Sequence, residues 1–436
     1  QRQMCIRDRY RAARDLLLRQ APRLNGEPIR SQGETTLDAA LRLTAHLTEG
    51  IFPIQGPPGA GKTYTAARMI CALVGQGKTV GITANSHKVI RNVIDKVIET
   101  AEELDVDLKC CQKTADAEPG SDRLSFTNDN GTILAALGNS VQVGGGTAWL
   151  WAREDAANAV DILIVDEAAQ MSLADVLAVS QAARMLILIG DPRQLDQPMQ
   201  GSHPDGTDVS ALDHILGGAQ TIGPEQGLFL EETWRLHPAI CAFTSKLYYA
   251  GKLRSREGLH QQVIQGPGPL TGAGLRYLPV EHSGNRNSSP EEAQAILDLV
   301  TRTLDSGARW IDRDGTERPV RLEDILIITP YNAQVFEIQQ RLPGARVGTV
   351  DKFQGQEAPI SIYSTATSSH ADAPRGMEFL YSLNRFNVAT SRAKCLTVLV
   401  GSPQIFEAEC RTPRQMQLAN AFCRYAEMAA TIDPDR

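Results

Sequence analysis

The sequence predicts an α/β fold with mainly parallel sheets, and three observations carry that prediction. Short apolar runs of β type alternate with helical patterns down most of the chain. One such run, Ile51 to Ile54, leads into Gly56-Pro57-Pro58-Gly59-Ala60-Gly61-Lys62-Thr63 and then into a helical pattern through Tyr64, Ala66, Met69 and Leu73. Another, Ile162-Leu163-Ile164-Val165, runs straight into Asp166-Glu167. Strand, glycine-rich loop and helix in that order are what a phosphate-binding loop requires. Acids at the C-terminal tip of a buried strand stand where open α/β sheets hold their ligands.

Taken in order, further strands are expected at 79–83, 161–165, 185–189, 275–280, 325–329, 359–363 and 396–400, with helices between them. Ser289-Pro290-Glu291-Glu292 marks a helix start, with serine as cap, proline in the first turn and acids at the positive end. Ala293, Ile296, Leu297 and Val300 then give that helix its apolar stripe. The polar stretch 101–146, ending in Gly144-Gly145-Gly146, reads as an insertion with mobile parts. The Gly-, Pro- and Asp-rich stretch 201–227 reads as a hinge between two halves.

A chain of 436 residues accommodates two or three domains, and two are expected, at 10–225 and 226–436. The opening run, Gln1 through Arg9, resembles translated sequencing adapter joined to a truncated gene and is set aside from fold reasoning. No apolar run approaches the ~20 residues that cross a membrane, so no membrane partner and a cytoplasmic location are expected. The eight cysteines form no C-x-x-C pair and lie at no zinc-site spacing with histidine, as expected of reduced, mostly buried thiols. A net charge of −7 excludes a generally basic nucleic-acid binder, so any strand groove must be a local patch.

The chemistry is more specific. Gly56, Gly59 and Gly61 let backbone N–H groups close around phosphates at a helix N-terminus. Pro57, Pro58, Ala60 and Tyr64 complete that surface, Lys62 reaches the β- and γ-phosphates, and Thr63 takes Mg²⁺. Asp166 would hold the same Mg²⁺, while Glu167 would orient and deprotonate the water that attacks the γ-phosphate. Gln194, uncharged and following the 185–189 strand, can report the γ-phosphate through a hydrogen bond. Hydrolysis of this kind depends on charge neutralisation, and Arg235 and Arg392 are the candidate arginines.

These segments, in this order, resemble the motif set of superfamily 1 helicases, in the branch of the nonsense-mediated-decay helicase and the Okazaki-fragment nuclease–helicase. The resemblance also rests on Gly81-Ile82-Thr83-Ala84-Asn85-Ser86, Gly146-Thr147-Ala148, Thr329-Pro330-Tyr331-Asn332-Ala333-Gln334 and Val350-Asp351-Lys352-Phe353-Gln354-Gly355-Gln356-Glu357. Ser86-His87-Lys88 and Gly201-Ser202-His203-Pro204 look most like bacterial helicases fused behind a RecB-like nuclease domain. The resemblance implies two RecA-like domains with ATP and Mg²⁺ in the cleft between them, and arginines acting from the second domain. It further implies that Trp234 stacks on adenine, that Glu357 touches the ribose or the metal-bound shell, and that Thr83, Ser86, Thr147, Thr329 and Thr349 hold strand phosphates, with Lys88 and Lys352 as additions. The partner implied is a single strand, DNA favoured over RNA, tracked 5′ to 3′.

The sequence departs from the family in two places. The helix holding Leu37-Asp38-Ala39-Ala40 lacks the glutamine with which relatives read adenine, and Gln32 lies slightly too far upstream. Only a short segment precedes the phosphate loop where relatives carry a β-barrel and stalk, so that module is missing, truncated or replaced, which leaves both strand separation and translocation without efficient unwinding open. The chain shows no nuclease constellation of paired acids and lysine, so cleavage would belong to an N-terminal RecB-like domain outside it. The competing readings are an ATP-gated clamp with slow hydrolysis and a P-loop ATPase that needs no nucleic acid.

Overall fold

The computed structural model describes residues 10–115, 119–195, 197, 208–353 and 355–433. The opening run 1–9, the expected family detail at 201–204, and Gln354 lie outside the described residues. The chain divides into two compact units. The first is Gln1–Pro57, Gly61–Pro192 and Asp196–Glu231; the second is Glu232–Arg436 together with Pro58–Ala60 and Arg193–Leu195.

In the first unit, eight strands form one sheet: β1 (Gly50–Gln55), β2 (Val80–Thr83), β3 (Cys110–Lys113), β4 (Leu124–Thr127), β5 (Val143–Gly145), β6 (Ile162–Val165), β7 (Met185–Gly190) and β8 (Leu228–Phe229). Their order is β4-β3-β5-β2-β6-β7-β1-β8, and every pairing is parallel. Parallel order puts every strand's C-terminal end on one edge, so the turns after β5, β2, β6 and β1 share that edge. β1, β2, β6 and β7 are buried along their whole length, which explains their unbroken apolar spelling. The helix His87–Glu103 covers the sheet with Ile90, Val93, Ile94 and Val97, at the i, i+3, i+4, i+7 spacing of an apolar stripe.

The stretch 101–146, expected as an insertion, adds strands of its own to the sheet, β3, β4 and β5. Its glycines are small because neighbours are close: a Cβ on Gly145 would stand 2.7 Å from Ile90 Cγ2 and Ile94 Cδ1, and one on Gly144 would stand 2.8 Å from Leu137 Cδ2. Within the stretch expected as a hinge, Ala211–Leu216 is a helix with four buried apolar residues, and Leu228–Phe229 pairs with β1.

The second unit contains β9 (Glu232–Thr233), β10 (Arg254–Ser255), β11 (Val263–Gln265), β12 (Gly274–Pro279), β13 (Arg309–Ile311), β14 (Glu317–Pro319), β15 (Ile325–Thr329), β16 (Arg346–Thr349), β17 (Ala358–Ser364), β18 (Ala393–Gly401) and β19 (Ala430–Thr431). Six of these form a parallel sheet, in the order β16-β15-β17-β18-β12-β19. Its core joins Ile327, Ile360 and Val398 to Ile296 and Val300 of the helix Pro290–Asp305. That helix starts where the sequence places it, with the Ser289 side chain accepting from Glu292 N. The α/β class and the mainly parallel sheets are as expected.

Candidate functional site

The phosphate loop leaves β1 and enters the helix Lys62–Gly75 through Gly61, whose φ of 80° is left-handed and suits glycine. No side chain caps this helix and no acid lies in its first turn. Its leading N–H groups and its positive end are therefore available to an anion. Lys62 Nζ donates to Gly56 O at 2.8 Å, an arrangement that requires glycine because a Cβ there would stand 2.3 Å from Lys62 Cγ. Two carbonyls of the loop are engaged, Pro58 O by the Thr233 hydroxyl at 2.9 Å and Gly59 O by Trp234 N at 2.9 Å. Tyr64, on the first helical turn, carries the Arg68 guanidinium 4.7 Å over its ring.

Asp166 follows β6, and its N–H donates to Thr83 O at 2.9 Å. Burial pushes the Asp166 carboxyl up to about 7, the neighbouring Glu167 charge adds to that, and Lys62 opposes it. A cation beside Asp166 would offset the burial that disfavours its ionised form, and a hydroxyl plus a carboxylate, Thr63 with Asp166, is the hard-oxygen donor set that suits Mg²⁺. Glu167 is half-buried at a φ of 51°, a conformation rare outside glycine that fixes where its carboxylate leaves the backbone. Gln170 accepts from Asn85 Nδ2 at 2.8 Å, joining the turn after β6 to the turn after β2. Asn85 lies in a quoted motif and Gln170 three residues beyond Glu167, yet sequence reasoning gave neither a role, because a partner 85 positions away leaves no local signal.

The second unit holds Gln194, Trp234, Arg235, Glu357 and Arg392. Arg235 Nε donates to Glu357 Oε2 at 2.6 Å, and its Nη1 reaches Ser391 O at 3.3 Å. Lys394 Nζ lies 2.9 Å from Glu357 Oε1. Burial alone would raise the Glu357 carboxyl, but the charges of Arg235 and Lys394 outweigh it and bring the group down to about 2. Arg392 is buried, with Nη1 donating to Gln356 O at 3.4 Å. Gln194 is buried, and the adjacent Arg193 O accepts from Asn387 Nδ2 at 2.6 Å. The Arg256 guanidinium lies 3.5 Å from the Trp234 ring centroid, covering one face of an indole that is 44% exposed.

The candidate strand contacts divide into two groups. Thr83 and Thr329 are fully buried, and neither hydroxyl has a partner among the described residues. No strand phosphate reaches either hydroxyl in this conformation. Each ends a strand buried along its whole length, so its side chain meets packing rather than solvent. Ser86, Thr147 and Thr349 are half-exposed. The Ser86 hydroxyl accepts from Val89 N at 3.3 Å, whereas Thr147 makes no capping bond with its side chain. Lys88 is exposed, and Lys352 Nζ is turned to Val347 O at 2.9 Å.

The described cysteines are free thiols, five of them buried. Among the described residues no group of three or more His, Cys, Asp or Glu side chains is placed to hold a metal ion. No described helix is long and apolar enough to cross a membrane.

Two family models, each described as an AAA domain, match residues 38–207 and 209–404. The DNA polymerase alpha-associated DNA helicase A of Schizosaccharomyces pombe is 24% identical over 427 residues, covering 80% of this chain and 60% of the relative. The regulator of nonsense transcripts 1 homolog of Drosophila melanogaster is 25% identical over 421 residues, covering 81% of this chain and 33% of the relative. The chain thus spans between about a third and three fifths of the length of these curated relatives. Among solved structures, the arterivirus nonstructural protein 10 helicase is 16% identical at a TM-score of 0.43, covering 84% of this chain and 61% of that one. With an AAA-domain match on each half and a curated DNA helicase similar over four fifths of its length, the chain is a P-loop NTPase of two RecA-like domains that is similar to superfamily 1 helicases.

Proposed function

We propose that the chain is an ATP-driven translocase on single-stranded nucleic acid, with DNA favoured over RNA and movement 5′ to 3′. The observation that carries this reading is the Asn85–Gln170 hydrogen bond at 2.8 Å. It ties the turn bearing Ser86, a strand-contact candidate, to the turn bearing Asp166 and Glu167, where hydrolysis would occur. A free-running ATPase has no need of that connection. Lys62 would hold the β- and γ-phosphates, and Thr63 with Asp166 would hold Mg²⁺, which supplies charge neutralisation when bound. Glu167 would take the proton of the attacking water. Gln194, Arg235 and Arg392 would sense and neutralise the γ-phosphate. Trp234 would stack on the base through the face that Arg256 leaves open.

The bonding of Glu357 to Arg235 and Lys394 supports an arginine-positioning role for it, in place of the ribose contact that the resemblance implies. Strand phosphates would fall to Ser86, Thr147 and Thr349. On the same reading the chain is the motor half of a cytoplasmic nuclease–helicase, with a RecB-like nuclease domain as its partner.

The test is steady-state ATP hydrolysis with and without oligothymidylate or oligouridylate, with Lys62→Ala as background. Stimulation by one polymer, lost in Lys62→Ala, is the expected result. Unchanged turnover in a protein that binds ATP would overturn the coupled-motor reading.

A further inference from the structure

We propose that Trp149 is a stacking platform for an unpaired nucleobase, a contact that rests on the strand-handling reading above and adds base recognition to it. Trp149 is 88% exposed, whereas the next most exposed of the large apolar side chains described is at 61%. An indole left almost wholly in water forgoes the burial that its size offers, so packing within the unit does not account for it.

Nor is its segment loose. Trp149 lies in the short helix Ala148–Trp151, whose Leu150 and Trp151 are both buried. Trp151 Nε1 is shared between Ile82 O at 3.1 Å and Gly146 O at 2.9 Å, which fixes the helix to the ends of β2 and β5. Trp149 is therefore displayed from a rigid base.

Its place in the sheet points to the ligand. β5 stands between β3 and β2, so Trp149 and Thr147 share the C-terminal edge with Lys113 on one side and Ser86 on the other. Gln112 Nε2 donates to His87 O at 3.0 Å, drawing the end of β3 to the segment that carries Ser86 and Lys88. Hydroxyls and ammonium groups such as these suit the sugar–phosphate chain, which carries no base information. An aromatic face is what they lack: every base presents a π-face, so stacking holds unpaired bases without reading their sequence.

The experiment compares fluorescein-labelled oligothymidylate with an abasic oligomer of equal length, by fluorescence anisotropy on the whole chain. Wild type is expected to bind oligothymidylate more tightly than the abasic strand. Trp149→Ala should weaken oligothymidylate binding by roughly 5- to 100-fold, leave abasic binding unchanged and keep the wild-type melting temperature, while Trp149→Phe restores most of the loss. Equal loss on both oligomers overturns the stacking proposal. So does no loss at all, the outcome a protein-docking role for this tryptophan would give. If wild type binds neither oligomer, the strand-handling reading fails and takes this proposal with it.

Discussion

Glu357 shows what a residue's partners add to its motif. Its carboxyl is brought from the usual 4.5 to about 2 against the effect of burial, because Arg235 and Lys394 favour the charged form. A carboxyl lowered in the folded state contributes stability above its unfolded value, and that contribution is lost as pH falls through the folded value. Wild type should therefore melt above Glu357→Gln at neutral pH, with the gap closing from about 4.5 downward. Because the side chain is 39% exposed, salt should shrink the same gap. Melting curves of the two proteins across pH check this, and a gap independent of pH would remove the ion pair from the account. At this scale Lys62, Thr63, Asp166 and Glu167 stand out in the sequence because residue type and spacing alone nominate them for phosphate, metal and water chemistry. What was not legible depends on distant partners or on facing. Asn85 meets Gln170, Arg256 covers Trp234, and Thr83 and Thr329 point inward.

At the scale of elements, legibility followed length. Long, wholly buried strands such as β15 and β7 announce themselves as unbroken apolar runs, and the Ser289-Pro290 start is visible because capping is local chemistry. β3, β4 and β5 are three or four residues long, with too few positions to establish a period. Gly144-Gly145 then misleads outright, since glycine signals freedom in a loop but close approach in a packed strand. Gly145→Ala tests the difference. A methyl group there must displace Ile90 or Ile94, both fully buried in the helix His87–Glu103. Overpacking of this kind costs about 1–3 kcal/mol. A lower urea midpoint is the expected result, and an unchanged one would mean that the triplet is the slack segment its composition suggested.

For the whole molecule the open choice is between a motor and a clamp, and charge frames it. A chain of net charge −7 holds a polyanion only through local contacts, so its grip on a strand should weaken steeply as salt displaces the counterion gain. A motor needs such a grip to be released and remade within each turnover, whereas a clamp needs it only to persist. Glu167 separates them. It has a left-handed backbone and a half-buried side chain, and Glu167→Gln keeps its shape while removing the proposed base. Loss of a positioned general base typically costs about 10²–10⁴ in rate, with ATP binding retained. On a biotinylated oligomer bearing streptavidin at its 3′ end, wild type should displace the streptavidin in the presence of ATP. Glu167→Gln should stay bound and displace none. If wild type too stays bound and displaces none, hydrolysis drives no movement and the clamp is the better description. Displacement from the 5′ end instead would keep the motor and reverse its polarity.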